Sequence, residues 1–316
     1  MNKQINEAVT LLDNKSLTRK SLFKKLALNS VDGMRFYDFL VDQTQLPVIG
    51  DTIKKLVILY YKHIHTNAVK LPLQDIEEVI NQAEQLTIGP CSCRLVFDHH
   101  DCDVPLYTCM RINTFSEVAS TFEAKERLKK NSRGNKKSKV LTKDEAIDIM
   151  RNARRHGLVF SLESCISPYQ NNICACCTCC CIELKMRKML GKDLGPAGPY
   201  IPVIDQQNCD ACETCVSQCP TSAVSLNGSG PVINTEKCVR CGICAEICPS
   251  KAISLEIDKN EITVLAPPGS LKLLWIVGCF YAFYLLYKPY QLLTKSQQYK
   301  YPAATPRQSE LDVIKW

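Results

Sequence analysis

One twelve-residue pattern occurs twice in this chain of 316 residues. Residues 209–220 read CDACETCVSQCP and residues 238–249 read CVRCGICAEICP, both of the form C-x2-C-x2-C-x3-C-P. Every matching pair of cysteines lies 29 positions apart. The repeat continues into the flanks. Pro202-Val203-Ile204-Asp205 matches Pro231-Val232-Ile233-Asn234, and Ala223-Val224-Ser225-Leu226 matches Ala252-Ile253-Ser254-Leu255. A small unit has therefore been duplicated, and both copies must fold around the same arrangement of thiols.

The spacing has a physical reading. Three cysteines at intervals of three on a tight loop can point their thiolates at three irons of one cube. The fourth, just before proline, is directed away and ligates the other cluster. On that rule Cys209, Cys212, Cys215 and Cys248 hold cluster one, and Cys238, Cys241, Cys244 and Cys219 hold cluster two. Structural zinc sites are usually built from two C-x2-C pairs or from cysteine with histidine, a less specific pattern than two full runs ending in CP. The β-prone runs PVI and AVSL predict two small hairpins around the pair. Residues 200–257 resemble the bacterial two-cluster ferredoxins. That resemblance implies two [4Fe-4S] clusters passing single electrons, usually at low potential.

The chain has 20 cysteines in all. Its length suggests about two domains. With 46% hydrophobic and 22% charged residues it is globular in composition and long enough to need no disulfide staples. Residues 1–30 contain no apolar export segment with a small-residue cleavage site. The cysteines therefore read as metal ligands or redox thiols, and the location expected is the cytoplasm, either free or at the cytoplasmic face of a membrane. The formal charge of +7 is mild and by itself indicates neither nucleic acid nor membrane.

Residues 1–90 have no cysteine, and eleven lie from Cys91 to Cys181. The segment PCSCRLVFDHHDCDVPLYTCMR supplies Cys91, Cys93, Cys102 and Cys109. The segment CISPYQNNICACCTCCCIE supplies Cys165, then Cys174, Cys176, Cys177, Cys179, Cys180 and Cys181. Six cysteines in eight residues cannot all face one core, and exposed thiols oxidise. One further iron–sulfur or other metal centre, built from both segments, is expected, with its ligand subset open among the ten that remain when Cys165, outside the dense groups, is set aside. His99 and His100, near Cys102, read as loop residues, with a share in that centre the alternative. Asp98, Asp101 and Asp103 read as turn formers or as partners of Arg94 and Arg111.

The order LQDIEEVINQAEQLTIGPCSCR, CDVPLYTCMR, LTKDEAIDIMRNARRHGLVFSLE, NICACCTCCC and then the duplicated module is similar to a family of ferredoxin-like 4Fe-4S proteins from anaerobes, over roughly residues 73–256. Those proteins carry a Cys-rich domain ahead of two clusters, so the resemblance implies electron transfer. A long basic insertion and a hydrophobic C-terminus depart from that pattern.

The fold class expected is α+β, in four parts. These are a helical head (1–72), a mostly helical Cys-rich domain (73–199), a two-hairpin ferredoxin-like module (200–266), and a hinge, hydrophobic helix and polar tail (267–316). Helical periodicity places helices near 3–13, 17–28, 31–43, 50–65 and 73–86. Thr142-x-x-Glu145 is a capping box that opens a helix from Lys143 to about His156, stopped by Gly157. Lys129, Lys130, Arg133, Lys136, Lys137 and Lys139 form a basic loop, solvated or docked on an acidic partner or on lipid headgroups. Residues 271–287 carry one charge, Lys272; the fifteen from 273 would span about 22 Å as a helix, short of the roughly 30 Å of a bilayer core. Trp275, Tyr281, Tyr284, Tyr287 and Tyr290 suit an interfacial belt, so contact with a membrane or a membrane subunit through 271–287 is expected, with burial within a soluble complex the alternative. Pro267-Pro268-Gly269 is the hinge before it.

Three functions follow in order. The first is an electron-transfer protein or subunit of a redox complex, relaying single electrons to protein partners. The second is an iron–sulfur oxidoreductase with its active site in the Cys-rich domain; no Rossmann, Walker or Ser/His/Asp signature is present, and catalytic residues are unassigned. The third is a redox-sensing regulator using Lys15, Arg19, Lys20, Lys24 and Lys25 on DNA. No recognition-helix pattern supports it, so nucleic acid is not an expected partner.

Overall fold

The computed structural model describes residues 39–64, 69–96, 104–113, 116, 138–163, 172–191, 197–228, 230–258, 285 and 287. The helices expected over 3–13 and 17–28, most of the basic loop, His99, His100, Cys102, Cys165 and Cys279 lie outside them.

The elements run α1 (Gly50–Ile64), β1 (Val69–Leu71), α2 (Leu73–Gln82), β2 (Leu86–Gly89), α3 (Ser92–Val96), β3 (Cys109–Ile112), β4 (Lys139–Leu141), α4 (Lys143–Arg155), β5 (Val159–Glu163), β6 (Asn172–Cys176), α5 (Ile182–Leu190), β7 (Tyr200–Ile204), α6 (Thr214–Ser217), β8 (Val224–Asn227), β9 (Gly230–Ile233), α7 (Ile243–Glu246) and β10 (Ile253–Ile257). Strands β1–β6 form one sheet in the order β1-β5-β6-β3-β2-β4, antiparallel throughout. Among the described residues the Cys-rich region therefore combines its helices with a six-stranded sheet that the mostly helical expectation did not include. The sheet went unread because its strands are three to five residues long and, apart from the edge strand β4, largely buried on both faces. LTIG, buried at every position, shows no polar alternation to read.

One face of the sheet is apolar. Leu71, Phe160, Leu162, Ile173, Ala175, Met110, Ile112, Ile88, Leu86 and Leu141 form a core with Ile76, Val79 and Ile80 of α2 and Ala146, Ile149, Met150 and Ala153 of α4. Helix α4 begins as expected: Thr142 accepts from the Glu145 N–H at 3.2 Å while the Glu145 carboxylate accepts from the Thr142 N–H at 2.9 Å. Gly157, at φ +71°, follows it.

The opposite face carries polar groups and sulfur. Register puts Lys70, Ser161 and Cys174 in one row, which Cys109 and Gly89 continue. Glu163, Asn172, Arg111 and Thr87 make the next row. Lys70, Thr87 and Ser161 are at most 1% exposed, so this face is covered although it is polar. Helix α3, carrying Cys93, and the start of α5, carrying Cys181 and Glu183, reach onto it.

Helix α5 also packs its outer side, Ile182, Met186 and Leu190, against Val57 of α1, Leu40, Val41 and Tyr287. Tyr287 is buried there with its ring 5.1 Å from that of Phe39, so this residue of the expected interfacial belt is enclosed by protein. Among the described residues no helix is long and apolar enough to cross a membrane.

The duplicated module forms two small two-stranded sheets, β7–β10 and β8–β9. Only β8–β9 is a hairpin; β7 and β10 pair across the whole module. Each sheet thus joins the two copies. The repeat holds down to the backbone. Ala211 and Arg240, Glu213 and Gly242, and Ser222 and Lys251 are three pairs 29 apart, all with positive φ. Asp205 accepts from the Gln207 and Asn208 N–H groups, as Asn234 does from Glu236 and Lys237.

Candidate functional site

The left-handed residues of the two C-x2-C-x2-C loops curl each loop around a cavity. One cavity is lined by Cys209, Cys212, Cys215 and Cys248; the other by Cys219, Cys238, Cys241 and Cys244. These are the two sets that the spacing rule pairs across the copies. Thr214 donates to Cys212 Sγ at 3.3 Å, the Arg240 N–H to Cys238 Sγ at 3.4 Å, and the Ala223 N–H to Cys219 Sγ at 3.2 Å. Cys215, Val224 and Ile253, joined by Cys244, Cys219 and Cys248, make an apolar wall between the cavities. Burial pushes the Cys241 thiol up to about 11 and the Cys244 thiol up to about 12. Loading such a pocket with metal therefore displaces protons.

Residues 202–225 and 231–254 each match the 4Fe-4S binding domain family. The module is ferredoxin-like. The matches end with the module, and no curated protein matches the chain. Four converging cysteines per cavity, dry walls and backbone N–H donors aimed at sulfur are what a [4Fe-4S] cube needs.

The two ferredoxin loops have different surroundings. Asp210, Cys212 and Glu213 in the first copy are exposed. Their counterparts are Val239, Cys241 and Gly242; Val239 is 2% exposed and packs with Ile243 against Val159, Cys176, Cys181 and Leu184 of the Cys-rich domain. A Cβ at Gly242 would lie 2.9 Å from Pro72 Cβ, so the close approach requires glycine as much as the φ of +78° does. Polar ties cross the same seam. Arg154 pairs with Glu246 at 2.9 Å, Glu246 accepts from the Leu73 N–H at 2.8 Å, Tyr200 donates to Asp75 at 2.5 Å, and Arg187 donates to the Cys238 carbonyl at 3.3 Å. The Arg154 guanidinium also stacks 4.1 Å over Phe160.

The other described cysteines divide in two. Six form a chain of thiol contacts running Cys174, Cys109, Cys91, Cys93, Cys181, Cys176. The chain brings together both Cys-rich segments, as the sequence suggested for the further centre. Hydrogen bonds from Cys109 and Cys93 hold Cys91 well below its ordinary value, and those from Cys176 and Cys93 do the same for Cys181. The remaining three, Cys177, Cys179 and Cys180, cluster on the turn between β6 and α5.

Two buried cations face these sulfurs, and neither was expected in that role. Arg94, 1% exposed, donates to Thr108 Oγ1, to the Ala175 carbonyl at 2.8 Å and to Cys177 Sγ at 3.8 Å. Burial opposes its charge, but Cys91, Cys109 and Cys177 outweigh burial and hold the guanidinium above its ordinary value. Lys70 bonds Glu183 and Ser161; burial opposes its charge too, and Glu183, Glu163 and Cys176 outweigh it. The signal that could have found Lys70 is the alternation in ICAC and VKL, which sends every second residue to the sulfur face; Arg94 sits on the short helix α3 and carries no such signal.

Proposed function

We propose that this chain is an iron–sulfur electron-transfer protein whose ferredoxin-like module exchanges electrons with a third centre in the Cys-rich domain. In this reading Cys209, Cys212, Cys215 and Cys248 hold cluster one, and Cys238, Cys241, Cys244 and Cys219 hold cluster two. The third centre takes its ligands from Cys91, Cys93, Cys109, Cys174, Cys176 and Cys181. When bound, these groups supply one-electron transfer.

The observation that carries the proposal is the packing of the Val239–Ile243 loop, with Cys241, onto Cys176 and Cys181. Cluster two would then stand beside the third centre and cluster one would lie farther out, on the side of the exposed Cys212. The chain's own residues suit the roles this order gives them. Val159, Leu184 and Ile243 keep water from the seam between the centres. Arg94 and Lys70 offset the negative charge of the thiolates. The exposed Asp210, Cys212 and Glu213 leave the edge of cluster one accessible to a protein redox partner.

The test is EPR of the reduced full chain against potential. The wild type is expected to show a signal beyond those of the two ferredoxin clusters. Cys91→Ser is expected to abolish that signal and leave the other two. A wild type showing two interacting clusters alone, unchanged by Cys91→Ser, would sink the third centre while keeping the ferredoxin assignment.

A further inference from the structure

Three thiols stand apart from the six-thiol chain. The turn after β6 reads Cys177-Thr178-Cys179-Cys180, and the sulfurs of Cys177, Cys179 and Cys180 all lie within 4.8 Å of one another. Cys179 and Cys180 Sγ are 3.7 Å apart. Among the described residues no other three histidine, cysteine or acidic side chains close so tightly.

That spacing decides what size of metal unit fits. A single tetrahedral ion with metal–sulfur bonds of about 2.3 Å holds its thiolates about 3.8 Å apart. Cysteines on the corners of a [4Fe-4S] cube stand roughly 6 Å apart. Neither the two ferredoxin sets nor the six thiols of the chain contain three sulfurs within 4.8 Å of one another, although successive thiols of the chain touch in pairs. The trio is sized for one ion.

A second observation points the same way. Arg94, buried beneath the turn, donates to Cys177 Sγ, and its Nε has no hydrogen-bond partner. Three thiolates around a divalent ion carry one net negative charge, which a buried guanidinium compensates. Cys177 and Cys180 belong to the apolar core, whereas Cys179 is exposed. An ion bound here would close the edge of the core and keep one side toward solvent. Three thiolates select soft ions, and zinc tolerates the site without redox chemistry of its own.

We propose that Cys177, Cys179 and Cys180 bind one zinc ion, separate from the iron–sulfur centres, with its fourth position on the solvent side by Cys179. Binding exchanges thiol protons for the ion, and no electron moves. The site would pin the turn that joins β6, which carries Cys174 and Cys176, to α5, whose N-cap is Cys181.

Metal analysis of the anaerobically isolated full chain tests this. One zinc per chain is expected beside the iron. Cys179→Ser changes an exposed side chain, so the fold should survive it. Its zinc affinity is expected to fall at least as far as the roughly 10- to 100-fold that loss of an outer partner costs, with iron and labile sulfide unchanged. Cobalt added to zinc-depleted wild type is expected to give a thiolate-to-metal absorption that the variant lacks. The proposal is overturned if the wild type holds no zinc and takes up neither ion, if Cys179→Ser keeps its zinc, or if that variant loses iron and sulfide. The wild-type iron count reports separately on the electron-transfer assignment.

Discussion

Single residues account for the charge around the sulfurs. Arg94 is a buried cation beside Cys91, Cys109 and Cys177, and a centre reduced next to it gains from that charge. Arg94→Gln is expected to lower the midpoint potential of the third centre by on the order of 100 mV, leaving the ferredoxin signals in place. An unchanged potential would mean that Arg94 only props the turn. At the start of α4 the balance is simpler. Lys139 and the Thr142 N–H hold the Glu145 carboxyl below its ordinary 4.5. A lowered value means that Glu145 supports folding above pH 4.5 and that this support fades as pH falls through the lowered value. Thr142→Ala is expected to cost about 1 kcal/mol at pH 7 by chemical denaturation. The gap between Glu145→Gln and the wild type, a few tenths of a kcal/mol at about pH 7 given its exposure, should close in acid.

Elements show where sequence reasoning succeeds and where it stops. Helix α4 was legible because its start is written in local chemistry, Thr142 and Glu145, and its stop in Gly157. The ferredoxin loops were legible because cysteine spacing, proline and the 29-residue repeat dictate one geometry. The sheet was not, because its strands are short and its second face is polar and yet buried, so Lys70 and Arg111 break the apolar pattern that marks a buried strand. Arg94 read as a partner of nearby aspartates, whereas β6 supplies its Ala175 carbonyl from 81 positions away. The differences between the copies carried a message that a repeat search passes over: Val239 for Asp210 and Gly242 for Glu213 mark the copy that docks. Gly242→Ala is expected to destabilise the chain by about 1–2 kcal/mol from its positive φ alone, and by more through the clash with Pro72. Glu213→Gly, at φ +59° on the open copy, is expected to stabilise by up to about 1 kcal/mol. If both changes behave alike in thermal melts, the asymmetry of the module is wrong.

At the scale of the whole molecule, a ferredoxin-like module leans its second copy on a sheet whose hidden face is lined with thiols. The apolar face of that sheet supplies the core, and the opposite face gathers Cys91, Cys93, Cys109, Cys174, Cys176 and Cys181 beneath α3 and α5. The arrangement makes sense as an electron path only if that face holds redox-active metal. The most direct measurement is iron and acid-labile sulfide per chain in the anaerobically isolated full-length protein. About twelve irons and as many sulfides are expected, four more than two ferredoxin cubes supply. Eight irons, with the six cysteines of the hidden face still open to alkylation in the folded chain, would contradict it.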